Sequence, residues 1–450
     1  INWMKHNFLH LLVAFFMASM VSGCASYGVI GNEPVGDQKP ASEYSIRSHV
    51  AADDNSDLAL MLSFSGGGTR AAALAYGVML ELRDTQIMVN GEPARLLDQV
   101  DSISSVSGGS FTSAYYGLYG DGLFEDFEEV FLRYDIQGHL VRQTLNPLHW
   151  FSIKGRTERA IEYYEKKVFH NATFAEMNQP GRPLIVINAS DLSHGVRFSF
   201  IQEYFDLLCS DLSTFSVARA VTASSAVPVV FHPVVVENYP GCGDEHYQWL
   251  ARMSERAETE NDAELKFLAD GLESFAEKDK RKYIHFVDGG ITDNIGLRAI
   301  YDTVTISGGP GAYVSKLNRQ PPRKLALIAV DASTEPVYEM DVTNKQPSLG
   351  QSIGAVTGVQ LHRYNTATLE LLGESLHEWS DTLAADGMEM KPYFIDLAFE
   401  DLDDPARLKY FNEVPTSFKL TDEQVDKLIE AGRELLRKNP EFQQFIADLK

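Results

Sequence analysis

The sequence predicts an α/β protein built on a mostly parallel central sheet with helical insertions. Three observations carry this. Leu58–Phe64 is apolar with no polar alternation, the pattern of a strand buried on both faces. Leu184 to Asn188, Leu325 to Val330 and Tyr393 to Leu397 repeat that pattern. Helix-like stretches separate them, and alternating strands and helices pack in α/β layers.

Composition agrees. The 450 residues are 44% apolar and 23% charged, which excludes a disordered, collagenous or coiled-coil chain. The net charge of -24 makes nucleic acid an unsuitable partner, because neutralising phosphates needs clustered Lys and Arg. It also disfavours general binding to anionic membrane. Membrane contact then requires a lipid anchor or a local apolar surface.

Taken in order, the chain begins with an address. Met4 is the expected start, Lys5 and His6 form a short polar region, and Phe8 to Val21 is almost continuously apolar. That run is too short to span a bilayer and reads as the core of a secretory signal peptide over 1–23. Val21-Ser22-Gly23-Cys24 resembles the bacterial lipobox, in which the cysteine sulfur is acylated. That resemblance implies an exported protein anchored through Cys24. Ala25 in the next position implies the Gram-negative outer membrane, with the periplasmic or outer side open. Setting Cys24 aside leaves Cys209 and Cys242. An even pair in an oxidising compartment is compatible with one disulfide, worth ~3 kcal/mol, or with two separate buried thiols.

Residues 24–57 read as a flexible tether after the lipidated cysteine, rich in Gly and Pro and reaching ~30 Å. The folded body is expected over 58–400. Two stretches look inserted: 124–169, aromatic and carrying Leu148, Trp150 and Phe151, and 245–281, dense in mixed charge that suits a solvated helix face. Residues 401–450 read as a C-terminal helical extension. Thr421 and Gln424 form a capping box there, followed by apolar residues at helical spacing.

Four segments are able to carry chemistry. Ser65-Gly66-Gly67-Gly68-Thr69-Arg70 lies between a strand and a helix, where glycines turn the chain sharply and gather N–H donors around negative charge. It also fits a dinucleotide fingerprint, but no acidic strand end follows at the spacing that ribose recognition needs, so no nucleotide is expected. In Ser105-Val106-Ser107-Gly108-Gly109 a strand-like segment turns into a helix of small residues, the layout of a nucleophile elbow. Asp288-Gly289-Gly290 puts a carboxylate at a strand end. Ala223-Ser224-Ser225-Ala226-Val227-Pro228 ends a helix, and locally says no more than that.

Taken in chain order, with Ala223–Pro228 before Asp288–Gly290, the four segments resemble the patatin-like phospholipases. The motifs span Ser65 to Gly290, and the α/β pattern extends the likeness to about Asp331. The resemblance implies a three-layer α/β/α patatin-like domain that hydrolyses lipid acyl esters, of the phospholipase A or lysophospholipase type. It implies Ser107 as nucleophile and Asp288 as its base. It further implies an oxyanion hole of Gly66, Gly67 and Gly68 beside Arg70, with no metal and no cofactor. Ser105 stands where the elbow usually has glycine, and Ala71 replaces a glycine after Arg70. Within the hydrolases the rival is a triad with Asp288 or Asp331 and His362 or His377. Both histidines lie in helix-like stretches and are expected at the surface. His232 and His285 are expected to pack rather than react. The stretch 124–169 is expected to form a lid or acyl-chain channel, with Leu148, Trp150 and Phe151 as its apolar tip. The reading from another class is a non-catalytic envelope scaffold on the same frame.

Overall fold

A computed structural model describes residues 27–36, 43–52, 57–89, 91–136, 138, 155–228, 230–243, 247–335 and 339–449. The signal-peptide reading, Cys24, and the Leu148, Trp150 and Phe151 tip lie outside these residues.

The main sheet is formed by β1 (Leu58–Phe64), β2 (Val100–Val106), β3 (Leu184–Asp191), β4 (Arg197–Ser199), β5 (Val234–Glu237), β6 (Tyr283–Val287), β7 (Lys324–Val330) and β8 (Lys391–Leu397). Its order is β8-β7-β1-β2-β3-β6-β5, with β4 paired to β3. The five strands from β8 to β3 are parallel, and β4, β5 and β6 pair antiparallel. The apolar strands are therefore where the absence of alternation places them. Successive side chains of one strand leave on opposite faces, and both faces are covered. Leu60, Leu62 and Phe64 belong to the large core cluster, whereas Met61 packs with Leu327, Ala329, Leu372 and Leu376 in a second one.

Helices supply those two layers: α1 (Gly68–Asp84), α2 (Gly108–Tyr119), α3 (Arg156–Lys167), α4 (Val217–Ser224), α5 (Gln248–Glu260), α6 (Ala263–Glu273), α7 (Leu349–Ala385) and α8 (Asp422–Lys438). Helices α1 and α8 cross at glycines. A Cβ on Gly77 would lie 2.1 Å from the Ile429 carbonyl oxygen, and one on Gly432 would lie 2.3 Å from that of Leu74. Helix α8 opens with the expected capping box of Thr421 and Gln424.

Three boundaries need correction. Residues 401–450 are not an appended extension: α8 buries Val425, Leu428, Leu435 and Leu436 in the main core. The tether expected over 24–57 is, where described, fastened to the body. Glu33–Pro34 pairs as a short strand with Ser210–Asp211. Asn32 exchanges hydrogen bonds with the Glu237 backbone, at 2.9 Å each. The Tyr44 hydroxyl donates to the Ile185 carbonyl and accepts its N–H at 2.8 Å. Gly28 and Gly31 serve close docking here rather than flexibility, because a Cβ on either would come within 2.4 Å of Val235 or Arg219 side chains.

The stretch 124–169 is, in its described parts, core rather than lid. Phe131 stacks on Phe111 of α2 at 4.1 Å, and Tyr164 of α3 meets the same ring edge-on at 4.9 Å. The 245–281 stretch does follow its charge pattern. Its helices α5 and α6 bury Leu250, Met253, Leu265 and Leu272 and turn their charges outward. Cys209 and Cys242 are joined as a disulfide. It links the loop that pairs with Glu33–Pro34 to the chain leaving β5.

Candidate active site

Adjacent parallel strands β1 and β2 end in the two glycine-rich turns, so both turns open at one edge of the sheet. After β2 the chain reverses at Ser107, which has φ 50° and ψ -119°, a conformation that side chains rarely adopt. The strain holds because the turn is tied on both sides. The Ser107 N–H donates to Ser224 Oγ at 2.8 Å, and Ser224 Oγ in turn donates to the Asn188 carbonyl at 2.6 Å.

Ser105 does not disturb the turn. It is buried on β2, and its hydroxyl accepts from Ser113 at 2.7 Å. Clearance is needed after Ser107 instead: a Cβ on Gly108 would sit 2.0 Å from the Gly68 carbonyl oxygen, and one on Gly109 would lie 2.7 Å from Phe64 Cβ. These contacts bring the first residues of α1 and α2 against each other. Two helix N-termini, each a site of positive potential, therefore converge beside Ser107.

Asp288 arrives from the opposite strand direction, at the end of β6, and is largely buried. Its N–H donates to Ala226 at 3.0 Å and its Oδ1 accepts the Gly290 N–H at 2.8 Å. The Ser107 turn lies beside it: the Ser107 N–H donates to Ser224 Oγ, and the Ser224 and Ala226 carbonyls accept the Gly289 and Asp288 N–H groups. Burial pushes the carboxyl up to about 6, against the opposing pull of the Gly290 N–H and the nearby Ser107 hydroxyl. A buried hydroxyl beside a carboxylate of raised basicity is able to pass its proton to it once the two come within hydrogen-bond reach.

The glycine loop is only partly available. The Gly66 N–H donates to the Asn294 carbonyl at 2.9 Å, so the expectation that all three glycine amides face a reaction centre is corrected. Gly66 instead fits between Asn294 and Ser107, since a Cβ there would meet Asn294 Oδ1 at 2.7 Å and Ser107 Cβ at 3.3 Å. The N–H groups of Gly67 and Gly68 have no acceptor among the described residues. Gly67 has φ +140° and Gly68 φ +61°, conformations that favour glycine.

Arg70 also departs from its expected place in an oxyanion hole. Its Nε donates to the Ala332 carbonyl at 2.8 Å and its Nη1 to that of Val414 at 2.7 Å. Burial lowers its pKa to about 10, opposed by Asp331, so it remains cationic near neutrality. It braces the start of α1 against the end of β7 and the chain before α8. Arg70→Met leaves two buried carbonyls unpaired beside Asp331 and is expected to cost ~3–5 kcal/mol, read as a lower urea midpoint with unchanged slope.

No histidine takes part among the described residues. His362 pairs with Glu335 at 3.1 Å on α7, and His377, His232 and His285 are exposed. Asp331 faces Arg70 and Ser333 rather than Ser107. Two participants escaped the sequence. Ser224 belongs to a segment that locally signals only a helix end. Asn294 has no local signal at all, because its use depends on where Gly66 comes to rest.

Comparison with known proteins places this geometry. Among curated proteins none matches the chain. Of solved structures, it is similar to human GIVD cytosolic phospholipase A2, with 13% identity and a TM-score of 0.41 over 95% of this chain and 66% of that one. It is also similar to VipD from Legionella pneumophila, with 12% identity and a TM-score of 0.32 over 96% and 72% of the two chains. The chain thus spans about two thirds of the human protein's length. The family model for patatin-like phospholipases matches residues 62–301, more than half of the chain, and takes in Ser107, Asp288 and the whole glycine loop. The chain belongs to the patatin-like phospholipase family.

Proposed function

We propose that this protein is a serine acyl-ester hydrolase acting on lipid, with Ser107 as nucleophile and Asp288 as its base. The observation that carries the reading is the placement of Ser107 beside the buried Asp288, both turns tied to Ser224–Ala226, at the converging N-termini of α1 and α2. Family membership supports lipid as the substrate class.

Asp288 takes the Ser107 hydroxyl proton as Oγ attacks the ester carbonyl. The resulting oxyanion is met by the N–H groups of Gly67 and Gly68, each worth roughly 3 kcal/mol, and by the two helix ends. Collapse of the tetrahedral adduct expels the alcohol, which carries away the proton held by Asp288. Water then attacks the acyl-serine, with Asp288 again as base, and releases the fatty acid. Export and acylation at Cys24 belong to the same reading, and the mass of the mature N-terminal peptide tests them.

The pH dependence follows from Asp288. The base works ionised and its carboxyl is raised to about 6. We therefore expect kcat/KM to climb with pH through about 6 and to level off above it. A profile already flat from about pH 4.5 upward, as an unperturbed aspartate gives, contradicts the assignment. The direct test is hydrolysis of a medium-chain ester together with labelling by a fluorophosphonate. The wild-type protein should turn over and label, and Ser107→Ala should do neither. A wild-type protein that does neither, even with dispersed phospholipid, favours the scaffold reading.

A further inference from the structure

Helix α7 is longer than the body it packs on. Ser380 Oγ bonds the Met390 carbonyl just before β8, and Leu372 and Leu376 pack at the level of β7. Asn365 donates to Ser333, which lies just past the last residue of β7. The helix therefore crosses the carboxyl edge of the sheet near Asn365. Its remaining turns, back to Leu349, project roughly 24 Å beyond that edge at 1.5 Å per residue. This is the edge at which Ser107 lies.

The projecting part has an unusual composition. From Leu349 to Leu361 there is no charged residue, although the chain is 23% charged. None of the described residues from Gln351 to Tyr364 is buried. Val356 and Val359, on one helix face, are 63% and 50% exposed. An uncharged apolar face held in water marks a contact surface.

The same edge carries more apolar surface and the incoming N-terminal chain. Val227 and Ile291 are exposed, each one residue from a group that hydrogen-bonds Asp288. Strand β5 extends past the end of β3, because Val234 pairs with Phe286 and Phe286 pairs with Asp191. Gly28 lies against Val235 on that extension, and the Val29 carbonyl accepts from Arg219. Cys24 is three residues before Tyr27, within ~11 Å of it at full extension.

We propose that the end of the molecule bearing Ser107 and Asp288 docks on an electrically neutral phospholipid surface, with the outer half of α7 lying in the headgroup layer. A lipid surface suits a helix end that carries no charge from Leu349 to Leu361. Neutral headgroups suit a chain of net charge -24, which anionic ones repel. No described helix is long and apolar enough to cross a membrane, so α7 lies in the surface rather than spanning it. The fastened N-terminal segment then acts as a short leash that turns the site toward the membrane holding Cys24. The purpose of this docking rests on the hydrolase reading; its geometry does not.

The test uses the full chain bound to phosphatidylcholine vesicles, carrying a photoreactive benzoylphenylalanine at position 356 or, as control, at Thr382 near the other end of α7. Irradiation should give a lipid adduct at 356 and little at 382. A cross-linked dimer at 356, meaning a second copy covers the face, overturns the proposal, as does no adduct at all. The double variant Val356→Asp, Val359→Asp should lose vesicle hydrolysis by roughly tenfold or more, about the binding of one buried valine. It should leave hydrolysis of a soluble short-chain ester unchanged. A lipid adduct at 356 in a wild-type protein that cleaves no ester separates the failure of the hydrolase reading from that of the docking face.

Discussion

Asp288→Asn is expected to lower ester turnover by ~10²–10⁴-fold while making the protein more stable. The first effect follows from the place of Asp288 beside Ser107. An amide has no basic oxygen to take the hydroxyl proton, so attack must proceed from the neutral serine. Ser107→Ala, which removes the attacking atom, is expected to bring turnover to background. The second effect follows from burial. The folded-state carboxyl sits at about 6, above its ordinary 3.8. The protonated form is the one the fold favours, so its stabilising contribution is lost as pH rises through about 6. At pH 8 a buried, ionised carboxylate opposes folding, and at 1.36 kcal/mol per unit its removal yields ~1–3 kcal/mol. Asn retains an oxygen for the Gly290 N–H, so the backbone turn is kept. Urea melts at pH 8 and pH 4.5 check the claim: the gain should be larger at pH 8. A variant that loses stability equally at both pH values would falsify the view of Asp288 as a strained reactive group.

Gly108→Ala is expected to produce the largest loss from a single methyl group. Its Cβ would stand 2.0 Å from the Gly68 carbonyl oxygen, and the next nearest atoms are also Gly68 backbone. A flexible side chain moves aside; two helix starts do not. Relief requires the turns after β1 and β2 to separate by ~1 Å or more. Overpacking of that kind costs ~1–3 kcal/mol. A shift of ~1 Å between Ser107 and the Gly67 and Gly68 amides is expected to cost a further ~10²-fold in turnover. The two effects are separable, because circular dichroism and the melting temperature report the first and kcat on the folded fraction reports the second. An Ala variant with wild-type kcat removes the close approach of these loops from the mechanism.

Much of this was legible in the sequence because it is local. An unbroken apolar run such as Leu58–Phe64 has to be buried on both faces, and a parallel sheet between helices is how a chain achieves that. Gly67 and Gly68 report positive φ. Gly108 and Gly109 report a crowded turn after Ser107, and Ser105 in place of a glycine is accommodated on the strand before it. The mixed charges of 245–281 marked a wetted face because helical spacing is regular. The Gly and Pro content of 24–57 misled for a related reason. Composition there reports that no long helix or strand forms, but not whether an extended chain finds edges to bind, as Asn32 and Tyr44 do.

The sequence alone determined the strands, the glycine turns, and the residue types from which the proposed serine hydrolase site is assembled. Only the tertiary structure decided how they are used. It brings Asp288 on an antiparallel strand to Ser107 at the end of a parallel one. It commits the Gly66 amide to Asn294, turns Arg70 from the reaction centre to the carbonyls of Ala332 and Val414, and lets α7 overshoot the sheet edge. The reason is physical. Backbone conformation is set by neighbours in the chain, whereas the partner of a buried donor and the dryness of a carboxylate are set by residues that only packing brings near.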